Sequence, residues 1–195
     1  MSLKLYSIST MLNHPDNLAK FRQTNSAKDI FAFFHLNRGA EREIMKRRLE
    51  FIAASGYTLE NIDITDYIYS PSALLFSARI VDKIGDTMKN DIKVFPCTVI
   101  CQGEKLSWNA VQITRQLSIV DMEKSTYRTL ADGEKVIKFA RYKEDINEVF
   151  YITRDSKNIT HFVVSELFRK LCEENELKIS FQEANNNLSY CHNFL

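Results

Sequence analysis

The sequence predicts an α+β fold: a mainly antiparallel sheet with two repeated helix-strand units and an N-terminal helical segment. Apolar residues recur at helical spacing through residues 26–54. A helix-strand pattern over Ser70–Cys97 returns over Thr160–Glu183. Between these two stretches lie several runs of alternating apolar and polar residues, which are typical of strands. Helices and strands therefore do not alternate strictly, as they would in a doubly wound parallel fold.

The two copies of the repeat align position by position. The matched positions are Leu75-Phe76-Ser77 with Val163-Val164-Ser165, Ile80 and Ile84 with Phe168 and Cys172, and Val94-Phe95 with Ser180-Phe181. The first copy is two residues longer than the second between its serine and its phenylalanine. A repeat of this kind predicts architecture and says nothing about chemistry.

The N-terminal third predicts one short strand and two helices. Leu3–Ile8 alternates weakly, which indicates an opening strand. A helix begins near residues 25–26, Gly39 separates it from a second helix, and Gly56 ends that second helix. Residues 59–69 are predicted to form a strand or a loop that leads into the first repeat unit.

The rest of the chain predicts strands enclosed by the two repeat units. Ser70 caps a helix that has Pro71 at its first position and runs to Lys89. A strand follows over residues 92–95, and Pro96 limits it. Further predicted strands are Thr98–Cys101, Leu106–Ile113, Val136–Tyr142 and Val149–Thr153. The second unit is predicted as a helix over residues 160–175 and a strand over Leu177–Phe181.

Composition indicates one ordinary globular domain. The chain has 195 residues, of which 45% are hydrophobic, enough to build a sizeable core. Its formal net charge of +1 gives no global attraction to nucleic acid or to a membrane surface. We therefore expect a single domain over residues 1–195, in which residues 26–56 form a helical segment.

Cysteine usage and the N-terminal sequence predict a cytoplasmic protein. Four cysteines without a disulfide-like pattern are typical of a reducing compartment. The N-terminal residues lack the charged start and continuous apolar run of a signal peptide. No stretch reaches the roughly eighteen apolar residues of a membrane span, so we expect no membrane partner.

Motifs for catalysis and cofactor binding do not occur in the sequence. There is no glycine-rich phosphate loop, no GxSxG elbow and no HExxH helix. Asp121, Glu123 and Asp132 have the residue types of an acid-base or metal group, but carboxylates at a strand-loop junction more often form turns. We therefore expect no enzyme activity, no catalytic residue and no cofactor.

Two further interpretations use metal or phosphate chemistry. Cys97 and Cys101 with Cys191-His192 have the residue types of a zinc site, although buried free cysteines explain them more simply. The basic run Lys46-Arg47-Arg48 is either a phosphate-binding patch or the solvated face of a helix with nearby glutamates. We expect no metal. A nucleic-acid-binding or regulatory module that uses the helix around Arg42–Arg48 remains the alternative function.

Residues 62–184 contain a series of motifs in a definite order: Leu75-Phe76-Ser77 with Val94-Phe95-Pro96, Trp108-Asn109-Ala110-Val111, Val120-Asp121 with Ser125, Phe150-Tyr151-Ile152, Val163-Val164-Ser165-Glu166-Leu167 and Ile179-Ser180-Phe181. In this order the motifs resemble those of a family of bacterial immunity proteins from polymorphic-toxin loci. The resemblance implies a non-enzymatic protein whose partner is a cognate toxin or effector that it binds and neutralises. The chain departs from the family at about residues 26–56, where the helical segment looks like an insertion. Asn109, Asp121 and Ser125 are family-motif residues that we expect to be structural.

The acidic stretches are the candidate toxin-binding residues. If the toxin were a nuclease, an inhibitor with an acidic surface would compete with nucleic acid for its site. The candidates in this sequence are Glu144, Asp145, Glu173, Glu174 and Glu176. The alternative for both groups is an ordinary solvated loop and helix end. A third hypothesis, a hydrolase, would require a cluster of titratable residues in a pocket.

Overall fold

The computed structural model describes residues 4–10, 19–22, 26–133 and 135–185. In chain order the elements are β1 (Leu5–Ser9), β2 (Ala19–Phe21), α1 (Ala27–Leu36), α2 (Glu41–Met45), β3 (Glu50–Ala53), α3 (Leu59–Asp63), β4 (Tyr67–Ser70), β5 (Ala73–Ser77), α4 (Ala78–Ile84), β6 (Ile92–Cys101), β7 (Glu104–Ile113), β8 (Gln116–Leu117), β9 (Thr126–Thr129), β10 (Lys135–Phe139), β11 (Ile152–Asp155), β12 (Phe162–Ser165), α5 (Glu166–Glu174) and β13 (Ser180–Glu183). The fold is α+β, as the sequence predicts.

Two large sheets and one hairpin organise the described strands. Sheet one has the order β2-β3-β6-β7-β5-β4, and sheet two has the order β13-β1-β12-β11-β8. Strands β9 and β10 form a separate two-stranded sheet. Most neighbouring strands are antiparallel, but β3 runs parallel to β6 and β8 runs parallel to β11. Both large sheets are therefore mixed rather than purely antiparallel.

Sheet one has a hydrophobic core on each face because successive side chains of a strand point to opposite faces. On one face Phe95 of β6 packs against α1, where the Phe33 and Phe34 ring centroids lie 5.2 and 5.4 Å from the Phe95 centroid. On the other face the core includes residues of β5, α4, β12 and α5. There the rings of Phe76 and Phe168 stack with centroids 6.4 Å apart. Helices α4 and α5 thus share one core with both sheets.

A third core forms around other residues of sheet two. Leu5 of β1 and Val163 of β12 pack there with Phe150. Two connecting stretches contribute to the same core, through Ile119 and Tyr142. An isolated bridge between Val120 and Tyr142 joins these stretches. They also carry several of the polar residues described in the next section.

Buried polar side chains tie the parts of the fold together. Asp66 accepts hydrogen bonds from the Ser77 hydroxyl, from Arg79 Nε at 2.8 Å and from the backbone N–H of Lys178 at 2.7 Å. Arg154 on β11 donates to the carbonyl oxygens of residues 34 and 35 at the end of α1, at 2.9 Å for Phe34. These bonds satisfy groups that would otherwise be buried without a partner.

The predicted helix at Ser70 is wrong over residues 70–77. Strands β4 and β5 form a hairpin there, in which Ser70 lies opposite Ala73. The residues of β5 are all buried, so their run of apolar side chains matched a helix as well as a strand. The helix begins only after Ser77, whose hydroxyl accepts the N–H of Ile80 at 3.3 Å. The predicted helix over 160–175 likewise begins at Glu166, after strand β12.

The predicted second N-terminal helix is wrong beyond Met45, because residues 50–53 form strand β3. Phe51 is fully buried while Ile52 is 39% exposed, a period of two residues rather than of a helix. The side chain of Glu50 is ion-paired with Arg22 at 3.4 Å and Arg48 at 3.2 Å. Strand β3 belongs to sheet one through its pairing with β6.

Residues 59–63 form helix α3 rather than the predicted strand or loop. Thr58 caps this helix, and its hydroxyl accepts the N–H of Asn61 at 3.2 Å. The Asn61 side chain accepts the N–H of Thr58 at 3.1 Å, which completes a capping box.

Candidate functional site

Asp121 and Ser125 form a hydrogen-bonded turn. Asp121 Oδ1 accepts the backbone N–H groups of Glu123 and Lys124, each at 3.1 Å. Ser125 Oγ donates to the carbonyl oxygen of Asp121 at 2.6 Å and accepts the N–H of Arg141 at 2.9 Å. The bonds from Lys124 and Glu123 hold the pKa of Asp121 below its usual value, against the opposing effect of burial. Two of the three family-motif residues therefore shape the same loop.

Asp155, at the end of β11, is a buried carboxylate that is hydrogen-bonded to the two residues just before this loop. Its Oδ2 accepts the N–H groups of Ile119 and Val120, each at 2.9 Å. Its Oδ1 accepts the N–H groups of Lys157 at 3.0 Å and Asn158 at 2.6 Å. Burial alone would raise the pKa of Asp155, but these hydrogen bonds together lower it. Asp155 is thus a fixed anion that orders two neighbouring stretches of chain.

A cleft of about 370 Å³ lies between these stretches. Its lining residues come from within residues 118–123, 143–145 and 155–158. Asp121, Glu123, Asp145 and Asp155 supply carboxylates to its lining. Lys143, which also lines it, donates from Nζ to the Ser118 hydroxyl at 2.9 Å. The cleft therefore combines shape with several charged groups.

Met122 is an exposed apolar residue held in place in the lining of the cleft. It is 46% exposed, although two polar side chains of the protein contact its sulfur. Tyr127 Oη lies 3.5 Å from the Met122 sulfur and donates to the Met122 carbonyl oxygen at 2.8 Å. Asn158 Nδ2 lies 3.6 Å from the same sulfur. Methionine and tyrosine are enriched at protein interfaces, so this arrangement resembles a binding anchor.

The structure separates the predicted toxin-binding residues into two groups. Asp145 lines the cleft, where it joins Asp121, and the neighbouring Glu144 is exposed. Glu173 and Glu174 lie in the last turn of α5, and Glu176 follows with a positive φ of 55°. The lining of the cleft contains none of these three glutamates.

The acidic group at the end of α5 is partly neutralised. Glu173 is ion-paired with Arg169 one turn earlier in the helix. Lys83 of α4 donates to the Asn175 carbonyl oxygen at 2.7 Å. These cations reduce the negative field that a binding partner would meet at this surface.

Asn109, the third family-motif residue, lies on β7, away from the turn in sequence. It is half-buried and pairs with Phe76 of β5 on one side and Pro96 of β6 on the other. Its place within sheet one agrees with a structural role, and it does not line the cleft.

The basic stretch Arg42–Arg48 begins within the short helix α2 and continues into the turn that follows it. Three of its cations are ion-paired: Lys46 with Glu43 at 3.0 Å, Arg47 with Asp29 at 3.1 Å and Arg48 with Glu50 at 3.2 Å. Ion pairing within the protein lowers the positive charge that this surface offers to phosphates.

The possible zinc ligands are only partly placed. Cys97 and Cys101 are both buried on β6, and burial raises the pKa of Cys97 to about 12 despite a backbone hydrogen bond from Ala110. Cys191 and His192 lie outside the described residues. Within the described part of the chain, no group of three or more His, Cys, Asp or Glu residues is suited to hold a metal ion.

The sequence interpretation missed Met122, Tyr127 and Asp155 as residues of this region. Asp155 did carry a signal, since Asp-x-x-Asn directly after a strand is typical of a side-chain-stabilised turn. The position of Met122 could not be predicted from the sequence, because the residue that contacts its sulfur, Asn158, comes from a distant stretch of the chain.

We expect Ser125→Ala to destabilise the protein by about 1–3 kcal/mol, because the part-buried Arg141 N–H loses its acceptor and the turn loses a bond. Urea denaturation measures this change in unfolding free energy. Ser107→Ala, at an exposed position of β7, is the matched control. Equal effects of the two substitutions would contradict a structural role for Ser125.

Comparisons with known proteins add no relatives. A scan of protein-family models found none that matches this chain, and a search of curated proteins found no significant match. In the described part of the chain, no helix has both the length and the apolar character needed to cross a membrane.

Proposed function

We propose that this chain is an immunity protein, which binds and neutralises a cognate bacterial toxin domain without catalysis. The observation that carries the proposal is that two residues, predicted on separate grounds from the sequence, line the same cleft. Asp121 comes from the resemblance to the immunity family, and Asp145 comes from the acidic stretches. Both line the cleft beside the Ser125 turn.

The composition of the cleft suits a protein partner. Interfaces between proteins combine a few apolar or aromatic anchors with a rim of charged groups. Here Met122 is the exposed apolar group, and Glu123 and Asp145 are charged groups close to it in the lining. Binding at such a surface needs complementary shape and charge, and no reactive side chain.

We also propose that the segments β5-α4-β6 and β12-α5-β13 are two copies of one unit. In each, a serine caps the helix: Ser77 Oγ accepts the N–H of Ile80, and Ser165 Oγ accepts the N–H of Phe168 at 3.4 Å. In each, one antiparallel strand lies between the two strands of the segment, β7 in the first and β1 in the second. This common order supports the family resemblance.

A cytoplasmic location is part of the proposal. Cys97, Cys101 and Cys172 are buried and free, which fits a compartment that keeps thiols reduced. An immunity protein in this place would meet the toxin in the cell that makes or receives it.

Co-expression tests the proposal. The toxin candidate is the C-terminal domain encoded by the reading frame next to the gene for this chain. We expect that its production arrests growth, that this chain restores growth, and that the purified proteins form a complex. An inactive toxin variant is the control for toxicity. A chain carrying Arg154→Ala, which we expect to be destabilised, is the control for folding. Arrest that persists while the wild-type protein accumulates in folded form would contradict immunity.

The nucleic-acid-binding module remains the second candidate. Three cations of its basic stretch, Lys46, Arg47 and Arg48, are ion-paired within the protein. We therefore rank nucleic-acid binding below immunity. Titration of RNA and of duplex DNA at increasing salt tests it. Tight binding that weakens steeply with salt and is lost in an Arg42→Glu variant would favour this candidate over immunity.

A further inference from the structure

We propose that the cleft beside the Asp121–Ser125 turn receives a basic loop of the partner toxin. A Lys or Arg side chain of that loop would enter between Glu123 and Asp145, and an apolar neighbour would pack on Met122. This inference rests on the proposed immunity function and names the surface and the partner chemistry within it.

Two carboxylates in the lining are available to such a cation. Glu123 and Asp145 are both exposed, and neither has a salt-bridge partner among the residues that the structure describes. Asp121 differs, since Lys124 lies 3.7 Å from it and its Oδ1 holds the turn. A cation supplied by a partner could therefore form ion pairs with Glu123 and Asp145 without breaking an existing ion pair.

Two lysines, Lys143 and Lys157, also line the cleft beside its four carboxylates, and Lys143 is directed to another group. Lys143 Nζ donates to the Ser118 hydroxyl at 2.9 Å, which is a neutral acceptor. Asp155 keeps a fixed negative charge in the lining because four backbone N–H groups hold its carboxylate. Fixed carboxylates in a concave site focus their field into the cleft, which favours a cationic occupant.

Met122 gives the site an apolar contact with little loss of conformational entropy. Its sulfur is already within 3.5 Å of Tyr127 Oη and 3.6 Å of Asn158 Nδ2. A side chain that is already positioned loses less freedom on binding than a mobile one. The partner that fits is thus a loop with a cation next to an apolar side chain.

The end of α5 is a weaker site for the same loop. Arg169 already pairs with Glu173, and Lys83 is held nearby by the Asn175 carbonyl oxygen. Like charges there would repel a basic partner. Loops rich in Lys and Arg are typical of enzymes that act on nucleic acid, so the cleft fits a toxin of that kind.

The test is direct binding of the purified, catalytically inactivated toxin domain to variants of the cleft. We expect Glu123→Lys, Asp145→Lys and Met122→Asp each to weaken binding by about tenfold or more. Glu104→Lys, at the exposed start of β7, makes the same charge change outside the cleft and is expected to bind as the wild type does. Wild-type affinity should fall between about 50 mM and about 300 mM salt, and less so in a Glu123→Lys/Asp145→Lys variant. Thermal unfolding of each variant confirms that it is folded.

The outcomes separate this inference from the proposed function. If the wild type binds the toxin and restores growth while all three cleft variants bind equally well, the cleft assignment is overturned and immunity stands. Loss of binding in Glu174→Lys, with normal binding in the cleft variants, overturns it in favour of the end of α5. A change only in self-association of Met122→Asp, measured by light scattering, would assign the cleft to a second copy and overturn it as well. Absence of binding by the wild type contradicts the proposed function itself.

Discussion

The Arg154→Ala variant is expected to lose about 2–5 kcal/mol of unfolding free energy. Arg154 is 2% exposed, and its guanidinium donates to the carbonyl oxygens of Phe34 and His35. The last carbonyls of a helix have no partner inside the helix, so a buried helix end needs donors from elsewhere. Alanine would leave both carbonyls unsatisfied and a cavity between β11 and α1.

Arg154→Lys separates the charge of this side chain from its shape. A lysine keeps the positive charge but lacks the planar fork that reaches two carbonyls at once, so we expect an intermediate loss. Urea denaturation followed by circular dichroism gives the free energies, with the exposed Arg42→Ala as a matched control. If Arg154→Ala were as stable as Arg42→Ala, the hydrogen bonds from Arg154 to α1 would make no contribution to the free energy of unfolding.

The second large effect is a loss of stability in mild acid that depends on His35. Burial, helped by the nearby charge of Arg154, lowers the pKa of His35 from 6.5 to about 3. As the pH falls below 6.5 the unfolded chain binds a proton at His35, while the folded protein does not until about pH 3. Proton binding therefore favours unfolding in this window, and the stability present above pH 6.5 is lost as the pH falls.

The size of this effect follows from the displaced pKa. Each pH unit below the unfolded value costs at most about 1.4 kcal/mol, so His35 accounts for about 2 kcal/mol at about pH 5. The lowered pKa of His161, caused by burial, acts in the same direction. Asp155 and Glu166 have lowered pKa values too, but the stability they add is lost only at more acidic pH, as the pH falls through their folded values.

Urea denaturation at about pH 7.5 and about pH 5 measures the His35 contribution. We expect the wild type to lose clearly more stability between these two values than His35→Gln does. The glutamine variant is compared with itself at the two pH values, so its own packing defect cancels. The same loss of stability in both proteins would mean that His35 is not the acid-sensitive group.

Some elements of this fold could be predicted from the sequence, and others depend on long-range pairing. The sequence predicts a strand over residues 106–113, and β7 occupies residues 104–113. The sequence predicts helix for residues 73–77 and 162–165, because a strand that is buried on both faces has no two-residue period. The serines at 77 and 165 were aligned in the repeat, and they are the caps that mark where each helix begins.

The sequence predicts that Pro96 limits the strand that begins at residue 92, and this boundary is wrong. Proline has no N–H and normally limits a strand, yet β6 continues through it to Cys101. The N–H of Thr98 bonds at 2.9 Å to the carbonyl oxygen of Leu49, the residue just before β3, so the backbone nitrogen of residue 96 points to the same side. The pairing of β3 with β6 covers only residues 98–100, and among the strands that the structure describes none faces the nitrogen of Pro96.

The candidate site could be predicted only in part. Asp121 and Ser125 came from the order of motifs, and Asp145 came from local charge. That Asp121 and Asp145 share a cleft depends on the pairing of residues 120–121 with 141–142, which no spacing in the sequence indicates. The same holds for Met122, whose neighbour Asn158 lies far along the chain.

Strand β1 has a consequence for the order in which the protein assembles. It lies between β12 and β13, so it pairs with residues that a ribosome adds more than a hundred positions later. Until those residues emerge, β1 has no strand on either side, and sheet one can close before sheet two does. Contacts so distant in sequence slow folding and leave strand edges open for longer. Sheet two is therefore the part of the nascent chain whose strands are exposed longest to mispairing.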